Sequence, residues 1–162
     1  MSGVTEGSTD ERSAAIPELM RRARGAYKRS ADVRLAAAGL EDLPTSGGFL
    51  LGYLVEGDDS VAGMIDGLGF TKQAFSQLVD TMVVRGFITR DVDPDDRRRT
   101  LRMTERGEAA AEASYRGCVD VDEELQRRLT PEELAGLRKG LSVLADIKAS
   151  LKDHAIRRGI GD

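Results

Sequence analysis

The sequence has 162 residues, of which 40% are hydrophobic and 32% are charged, and its formal net charge is −4. These values are typical of one soluble globular domain, and they exclude a collagen-like or disordered chain. A single cysteine, Cys118, rules out an internal disulfide, and a single histidine, His154, leaves too few ligands for a soft-metal site. We therefore expect no metal and no cofactor.

The first 14 residues are rich in Ser, Thr, Gly and acidic residues, which predicts a flexible N-terminal tail. They contain no hydrophobic run, so they do not resemble a signal peptide. The longest apolar stretch, Phe49–Val55, is interrupted by Gly52 and is too short to cross a bilayer. We expect a cytoplasmic protein that has no membrane partner.

Two helices are predicted before residue 57. Apolar residues recur every three or four positions from Ile16 to Tyr27, which predicts a first helix over Ile16–Leu40. A shorter apolar helix is expected over Thr45–Glu56, ended by Gly57. Its buried side should hold Phe49, Leu50, Tyr53 and Leu54.

Two further helices, joined by a glycine turn, follow in the sequence. Ser60 can cap a third helix, and Thr71 can cap a fourth over Lys72–Arg85 that ends at Gly86. The third helix is expected to bury Val61, Met64, Ile65 and Leu68. The fourth is expected to bury Phe75, Leu78, Val79 and Met82. Its opposite, polar face comprises Lys72, Gln73, Ser76, Gln77 and Asp80.

After the fourth helix, the spacing of apolar residues changes from a helical period to strict alternation. Phe87–Val92 contains β-forming residues, Asp93–Asp96 is a strong turn signal, and Arg99–Thr104 alternates. Four of the six residues from Arg97 to Arg102 are arginines. The pattern predicts a β-hairpin that has a basic, exposed tip.

The remaining residues predict two long helices. Thr104 can cap the first, which begins at Glu105 and ends near Leu129. Residues 130–133, Thr-Pro-Glu-Glu, combine an N-cap, a proline in the first turn and a capping-box glutamate at the start of the second. This last helix has an apolar stripe made of Leu134, Leu137, Leu141, Leu144, Ile147 and Leu151.

The order of elements predicts a mainly α fold with a small β-hairpin wing. A winged helix-turn-helix over residues 45–107 would be combined with dimerisation helices at 16–40 and 108–162, all within a single domain over 15–162. Because the terminal helices have apolar stripes and no other domain covers them, we expect a homodimer. Its interface should include Ile16, Leu134, Leu137, Leu141, Leu144 and Leu151.

A winged unit of this kind suggests double-stranded DNA as a partner. Its second helix can enter the major groove, where polar side chains read base edges. The residues expected to contact bases or phosphates are Lys72, Gln73, Ser76 and Gln77. The wing residues expected to reach a minor groove or its phosphates are Arg97, Arg98 and Arg99. In the alternative interpretation, both sets form ordinary solvated surfaces.

The distribution of charge is uneven along the chain. Residues 40–70 contain six acidic residues and no Lys or Arg, whereas residues 71–106 contain eight basic and six acidic residues. A negative net charge therefore does not exclude a local surface that attracts DNA.

The stretches Leu68–Asp80 and Arg85–Gly107 resemble the multiple-antibiotic-resistance regulator (MarR) family. The wing signature of that family is Asp-x-Arg, five residues, and then Leu-Thr-x-x-Gly. Here it falls on Asp95, Arg97, Met103, Thr104 and Gly107, with Met in place of Leu. The match is close over residues 60–107, and the flanking helices match in order and length.

The resemblance implies a homodimer in which the first, fifth and sixth helices interlock. It also implies a repressor or activator that binds a pseudo-palindromic operator and is often released by a small phenolic or lipophilic effector. Asp95 would orient a wing arginine through an ion pair, since phosphate would repel its carboxylate. Tyr27, Phe49 and Tyr53 would line an effector pocket, or else they are ordinary core residues.

The remaining hypotheses concern isolated residues and other classes of function. Cys118 is expected to be a packed thiol, with an oxidant sensor as the alternative, and His154 a helix-dipole or interface residue. No phosphate-binding loop, metal-ligand spacing or nucleophile–base pair is present, so we do not expect an enzyme. The alternative to a DNA-binding regulator is a winged-helix module that binds another protein.

Overall fold

The computed structural model describes residues 15–57, 61–92 and 99–157. Its elements are α1 (Ile16–Ala37), α2 (Gly47–Val55), α3 (Val61–Leu68), α4 (Lys72–Val84), β1 (Ile88–Val92), β2 (Arg99–Met103), α5 (Glu105–Arg128) and α6 (Pro131–Arg157). The predicted order and the mainly helical fold with a small hairpin are confirmed. The predicted tail, the Ser60 cap and the Asp93–Asp96 turn lie outside the described residues.

The described residues fall into two compact units, one ending at Asp120 and the other beginning at Val121. The first contains α1 to β2 and the first part of α5. The second contains the end of α5 and all of α6. None of the described helices combines the length and apolar character that a membrane span requires.

Two helix starts have the capping geometry that the sequence predicts. The Thr71 Oγ1 accepts a hydrogen bond from the Ala74 backbone N–H at 3.1 Å, which fixes the start of α4. At α6, the Glu133 N–H donates to Thr130 Oγ1 at 3.2 Å, and the Thr130 N–H donates to Glu133 Oε2 at 2.9 Å. This reciprocal pair is a capping box, and it satisfies two N–H groups that a helix start otherwise leaves unpaired.

The core of the first unit is formed mainly by residues of the winged helix-turn-helix. Buried side chains of α2, α3, α4 and β1 meet there, so α4 is fixed by the apolar face opposite its polar one. The fully buried large side chains are Leu50, Leu51, Met64, Met82, Phe87 and Ile88. Burial of each such side chain contributes about 1.5–3 kcal/mol before the entropy of ordering is subtracted.

The predicted buried side of α2 is wrong in part. Phe49, which belongs to the predicted core face, is 52% exposed, whereas Leu51 is fully buried. The helix is apolar on nearly every side, so its periodicity cannot indicate which face is covered. Val61 at the start of α3 is likewise 40% exposed, while Met64 is buried as predicted.

The two strands form an antiparallel hairpin. Ile88 pairs with Met103 and Arg90 pairs with Leu101. A salt bridge of 2.8 Å between Asp91 Oδ2 and Arg102 Nε links the strands on an exposed face.

Candidate nucleic-acid interface

One side of α4 is a solvent-exposed polar surface. Phe75, Val79 and Met82 are buried on the opposite side, against the core. The structure therefore brings the predicted DNA-contacting residues together on one accessible helix face. This face comprises Lys72, Gln73, Ser76, Gln77 and Asp80.

An ion pair joins this helix face to the hairpin. Arg90 Nη2 on β1 donates to Asp80 Oδ1 on α4 at 2.5 Å. The helical spacing places Asp80 on the polar face but does not predict its partner. In the sequence, the pair is visible only as an acidic residue on the helix and an arginine ten positions later in the following strand. This spacing alone does not show that the two side chains meet.

The predicted contacts of the wing tip are not placed by the structure. Asp95, Arg97 and Arg98 lie outside the described residues, as does the side chain of Arg99. Their roles stay predictions. The described base of the wing is held by the pair between Asp91 and Arg102.

The second half of the wing signature forms the joint between the hairpin and α5. Thr104 Oγ1 donates to the Gly86 carbonyl at 2.6 Å and accepts from the Gly107 N–H at 3.1 Å. The Thr104 N–H donates to the Phe87 carbonyl at 3.1 Å. A Cβ on residue 107 would lie 2.0 Å from that same carbonyl oxygen. Thr104 and Gly107 thus determine the packing at this joint.

A second joint links the loop after α1 to the start of α5. Arg106 Nη2 donates to Asp42 Oδ1 at 2.7 Å, and Nη1 donates to Oδ2 at 3.2 Å. The Arg106 guanidinium also lies over the Phe87 ring, 4.3 Å from its centroid, and donates to the Arg85 carbonyl. The hydrogen bonds from Arg106 hold the pKa of Asp42 below its usual value. The negative charge of Asp42, one of the six acidic residues in 40–70, is therefore offset by Arg106 of the same chain.

Comparison with known sequences shows a family that the winged unit resembles. Residues 42–99 match the sequence model of the MarR family. The winged unit therefore resembles that of the MarR family. No match was found among curated proteins.

Solved structures of MarR-family proteins have the same fold. The S. aureus MepR–DNA complex is 24% identical, with a TM-score of 0.66 over 82% of this chain and 95% of that chain. MepR bound to ethidium bromide is 23% identical, with a TM-score of 0.53 over 83% and 97%. The Mycobacterium tuberculosis MarR-family protein Rv2887, in complex with p-aminosalicylic acid, is 19% identical, with a TM-score of 0.57 over 82% and 99%.

The three aromatic residues assigned to an effector pocket occupy different surroundings in this chain. Arg24 of α1 lies over the exposed ring of Phe49, 5.5 Å from its centroid. Tyr53 packs on α3 so closely that a Cβ on Gly67 would lie 1.7 Å from its hydroxyl oxygen. Tyr27 is half-buried on α1. Packing between α2 and α3 accounts for Tyr53, and the effector role of all three stays a prediction.

A buried hydroxyl near Gly48 has no signal in the sequence. Ser114 Oγ on α5 is buried and has no hydrogen-bond partner among the described residues. It lies 3.4 Å from the position that a Cβ on Gly48 would occupy. Residues of α1, α2 and α5 therefore come close to Gly48 and Phe49, and they include one cation and one unsatisfied polar atom.

The residues assigned to the dimer interface are on the surface of the single chain. Leu141 is 48% exposed, and Ile16, Leu137 and Leu151 are also exposed. Leu134 and Leu144 are half-buried. Cys118 is half-buried on α5, and the side chain of His154 lies outside the described residues. The interface stays a prediction for these residues.

Proposed function

We propose that this chain is a sequence-specific DNA-binding transcription regulator that acts in the cytoplasm as a homodimeric repressor on a pseudo-palindromic operator. The observation that supports this best is the exposed polar face of α4, which is fixed by the Thr71 cap and by burial of its opposite side. A helix that is held in place on one side and exposes a polar face on the other can enter the major groove. The similar fold of MepR, which has been solved in complex with DNA, supports the same assignment. We propose no enzymatic activity for the chain.

We expect α4 and the wing to contribute differently to DNA binding. Gln73 and Gln77 are exposed and can make paired hydrogen bonds to adenine, while Lys72 can contact guanine. The arginines of the wing tip would bind phosphates, which occur in every sequence. Specificity would therefore depend on α4, and a large part of the total affinity would depend on the wing.

Alanine substitutions should separate these two contributions. Gln73→Ala and Gln77→Ala are each expected to reduce the preference for operator over random DNA by about 1–3 kcal/mol if the hydrogen bonding is bidentate. Arg97→Ala should weaken binding to both DNAs, and the slope of log affinity against log salt should fall by roughly one for each phosphate that is no longer neutralised. Fluorescence titrations of both duplexes at several salt concentrations measure both effects.

Gln126→Ala, an exposed glutamine on α5, serves as the matched control and should leave both affinities unchanged. A change of sequence preference in the Arg97 variant alone would reverse the assigned roles. If the unmodified protein shows no steep, salt-dependent binding to any DNA, the result favours the alternative function, a module that binds another protein.

We also propose that a small aromatic ligand with an acidic group modulates DNA binding. The cationic Arg24 lies beside the exposed Phe49 ring, and together they provide a charge and an aromatic surface suited to such a ligand. The p-aminosalicylic acid found in the complex with Rv2887 has this chemistry. A ligand that favours one spacing of the two α4 helices would shift the population away from the DNA-binding form.

p-Aminosalicylic acid should therefore raise the thermal unfolding midpoint and weaken operator binding about 5–150-fold. The Arg24→Gln variant should lose both responses, whereas Arg22→Gln, a neighbouring arginine on α1, should keep them. Ethidium, a cation, provides a probe of opposite charge and should bind more weakly. Stabilisation without any change in operator affinity would contradict an effector role. A ligand that binds the DNA-binding form and the other form equally well does not shift the equilibrium between them.

A further inference from the structure

The described arginines of the winged unit are engaged by acceptors of the chain itself. Arg85 donates to the Asp42 carbonyl, and the other pairs are Arg90 with Asp80, Arg102 with Asp91, and Arg106 with Asp42. Lys72, by contrast, has no ion-pair partner among the described residues. The described part of the winged unit therefore exposes less uncompensated positive charge than its sequence suggests.

One of these pairs lies on the proposed DNA-reading surface. Asp80 is three positions after Gln77 and four after Ser76, so all three share one face of α4. The Asp80 side chain is 57% exposed and the Arg90 side chain is 42% exposed. An ion pair this accessible to water is weak, so an approaching phosphate can compete for Arg90.

We propose that Asp80 is a specificity-determining residue that restrains Arg90 from binding the phosphates of non-operator DNA. This inference rests on the proposed function. The Asp80 carboxylate accepts from one N–H of the Arg90 guanidinium and offsets its positive charge, so it repels a phosphate that approaches Arg90. If the carboxylate moves away, it is left unpaired close to the negatively charged backbone. Random DNA therefore gains little from Arg90.

Operator DNA can compensate for the displacement. A carboxylate accepts hydrogen bonds but donates none, so among base edges in the major groove it is satisfied by the amino groups of cytosine or adenine. Where the operator presents such a group to Asp80, the carboxylate exchanges one partner for another and Arg90 is released to a phosphate. The same ion pair thus lowers binding to most sequences more than it lowers binding to the correct one.

Substitutions of Asp80 and of Arg90 should change DNA affinity in opposite directions, which tests this proposal. The operator is the sequence that the unmodified protein selects from a random duplex library. D80N should bind random DNA about threefold to tenfold more tightly at about 50 mM salt, with a salt slope steeper by roughly one, because one more phosphate is neutralised. Its operator affinity should rise less, so the specificity ratio falls. R90Q should weaken operator binding more than random binding, because only the operator gains from Arg90.

E112Q is the matched control for the change of charge. Glu112 pairs with Arg116 at 2.7 Å on the surface of α5, so the variant also removes one carboxylate and releases one arginine. Its affinity for both DNAs should stay within about twofold of the unmodified protein if only the position of Asp80 matters. Thermal unfolding midpoints establish that all three variants are folded.

Several outcomes would overturn the inference. If D80N and R90Q weaken binding to both DNAs in parallel, the pair is a structural link between α4 and the hairpin. If the unmodified protein selects an operator and D80N keeps its specificity ratio, the inference fails while the proposed function stands. If the unmodified protein selects no sequence, the proposed function fails and the role of Asp80 fails with it.

Discussion

Leu141→Asp is expected to convert the proposed homodimer into monomers and to lower operator affinity by about 10²–10⁴-fold. In the single chain Leu141 is half-exposed, so an aspartate there would stay hydrated and cost little. In a dimer that covers the α6 stripe, the same carboxylate would be buried without a partner. A monomer then binds one half-site and loses the gain in affinity that comes from linking two.

Analytical ultracentrifugation at micromolar concentration and titration with operator DNA measure the two effects. Ser142→Asp is the control, because it introduces the same charge at an exposed neighbouring position that points away from the stripe. This variant should stay dimeric and bind the operator normally. A Leu141→Asp protein that sediments as a dimer would show that the α6 stripe is not the interface.

Gly107→Ala is expected to lower the free energy of unfolding by about 2–4 kcal/mol, a large effect for the addition of one methyl group. The new Cβ would lie 2.0 Å from the Phe87 carbonyl oxygen and 3.4 Å from Met103 Cβ. The nearest of these atoms belongs to the backbone, and it already accepts a hydrogen bond from the Thr104 N–H. Relief of the clash would therefore separate α5 from the hairpin.

Gly52→Ala is the matched control, since Gly52 lies inside α2 and nothing is within 4 Å of the position of its Cβ. Removal of a flexible glycine from a helix interior should raise the free energy of unfolding by about 0.5–1 kcal/mol. Urea unfolding followed by circular dichroism, at one protein concentration for all variants, compares them. Equal midpoints for Gly107→Ala and the unmodified protein would show that α5 can shift without cost.

Local sequence signals determined the order and type of the elements in this protein. The Thr71 cap, the Thr130–Glu133 capping box and the alternation around the hairpin each depend on residues close together in the chain. Their energetics are local, so they can be identified before any tertiary contact is known. The exposed face of α4 was predictable for the same reason, because its apolar and polar residues segregate at helical spacing.

Tertiary structure decided the features that depend on residues far apart in the sequence. It determined that Leu51 rather than Phe49 is buried, because α2 is apolar all round and only its neighbours select a side. It paired Arg106 with Asp42 across 64 positions and brought Gly107 against the Phe87 carbonyl. It also joined Asp80 to Arg90. Charge and spacing do not specify such partners, because an exposed carboxylate is attracted to every nearby cation and only the packing of the elements determines which one lies within reach.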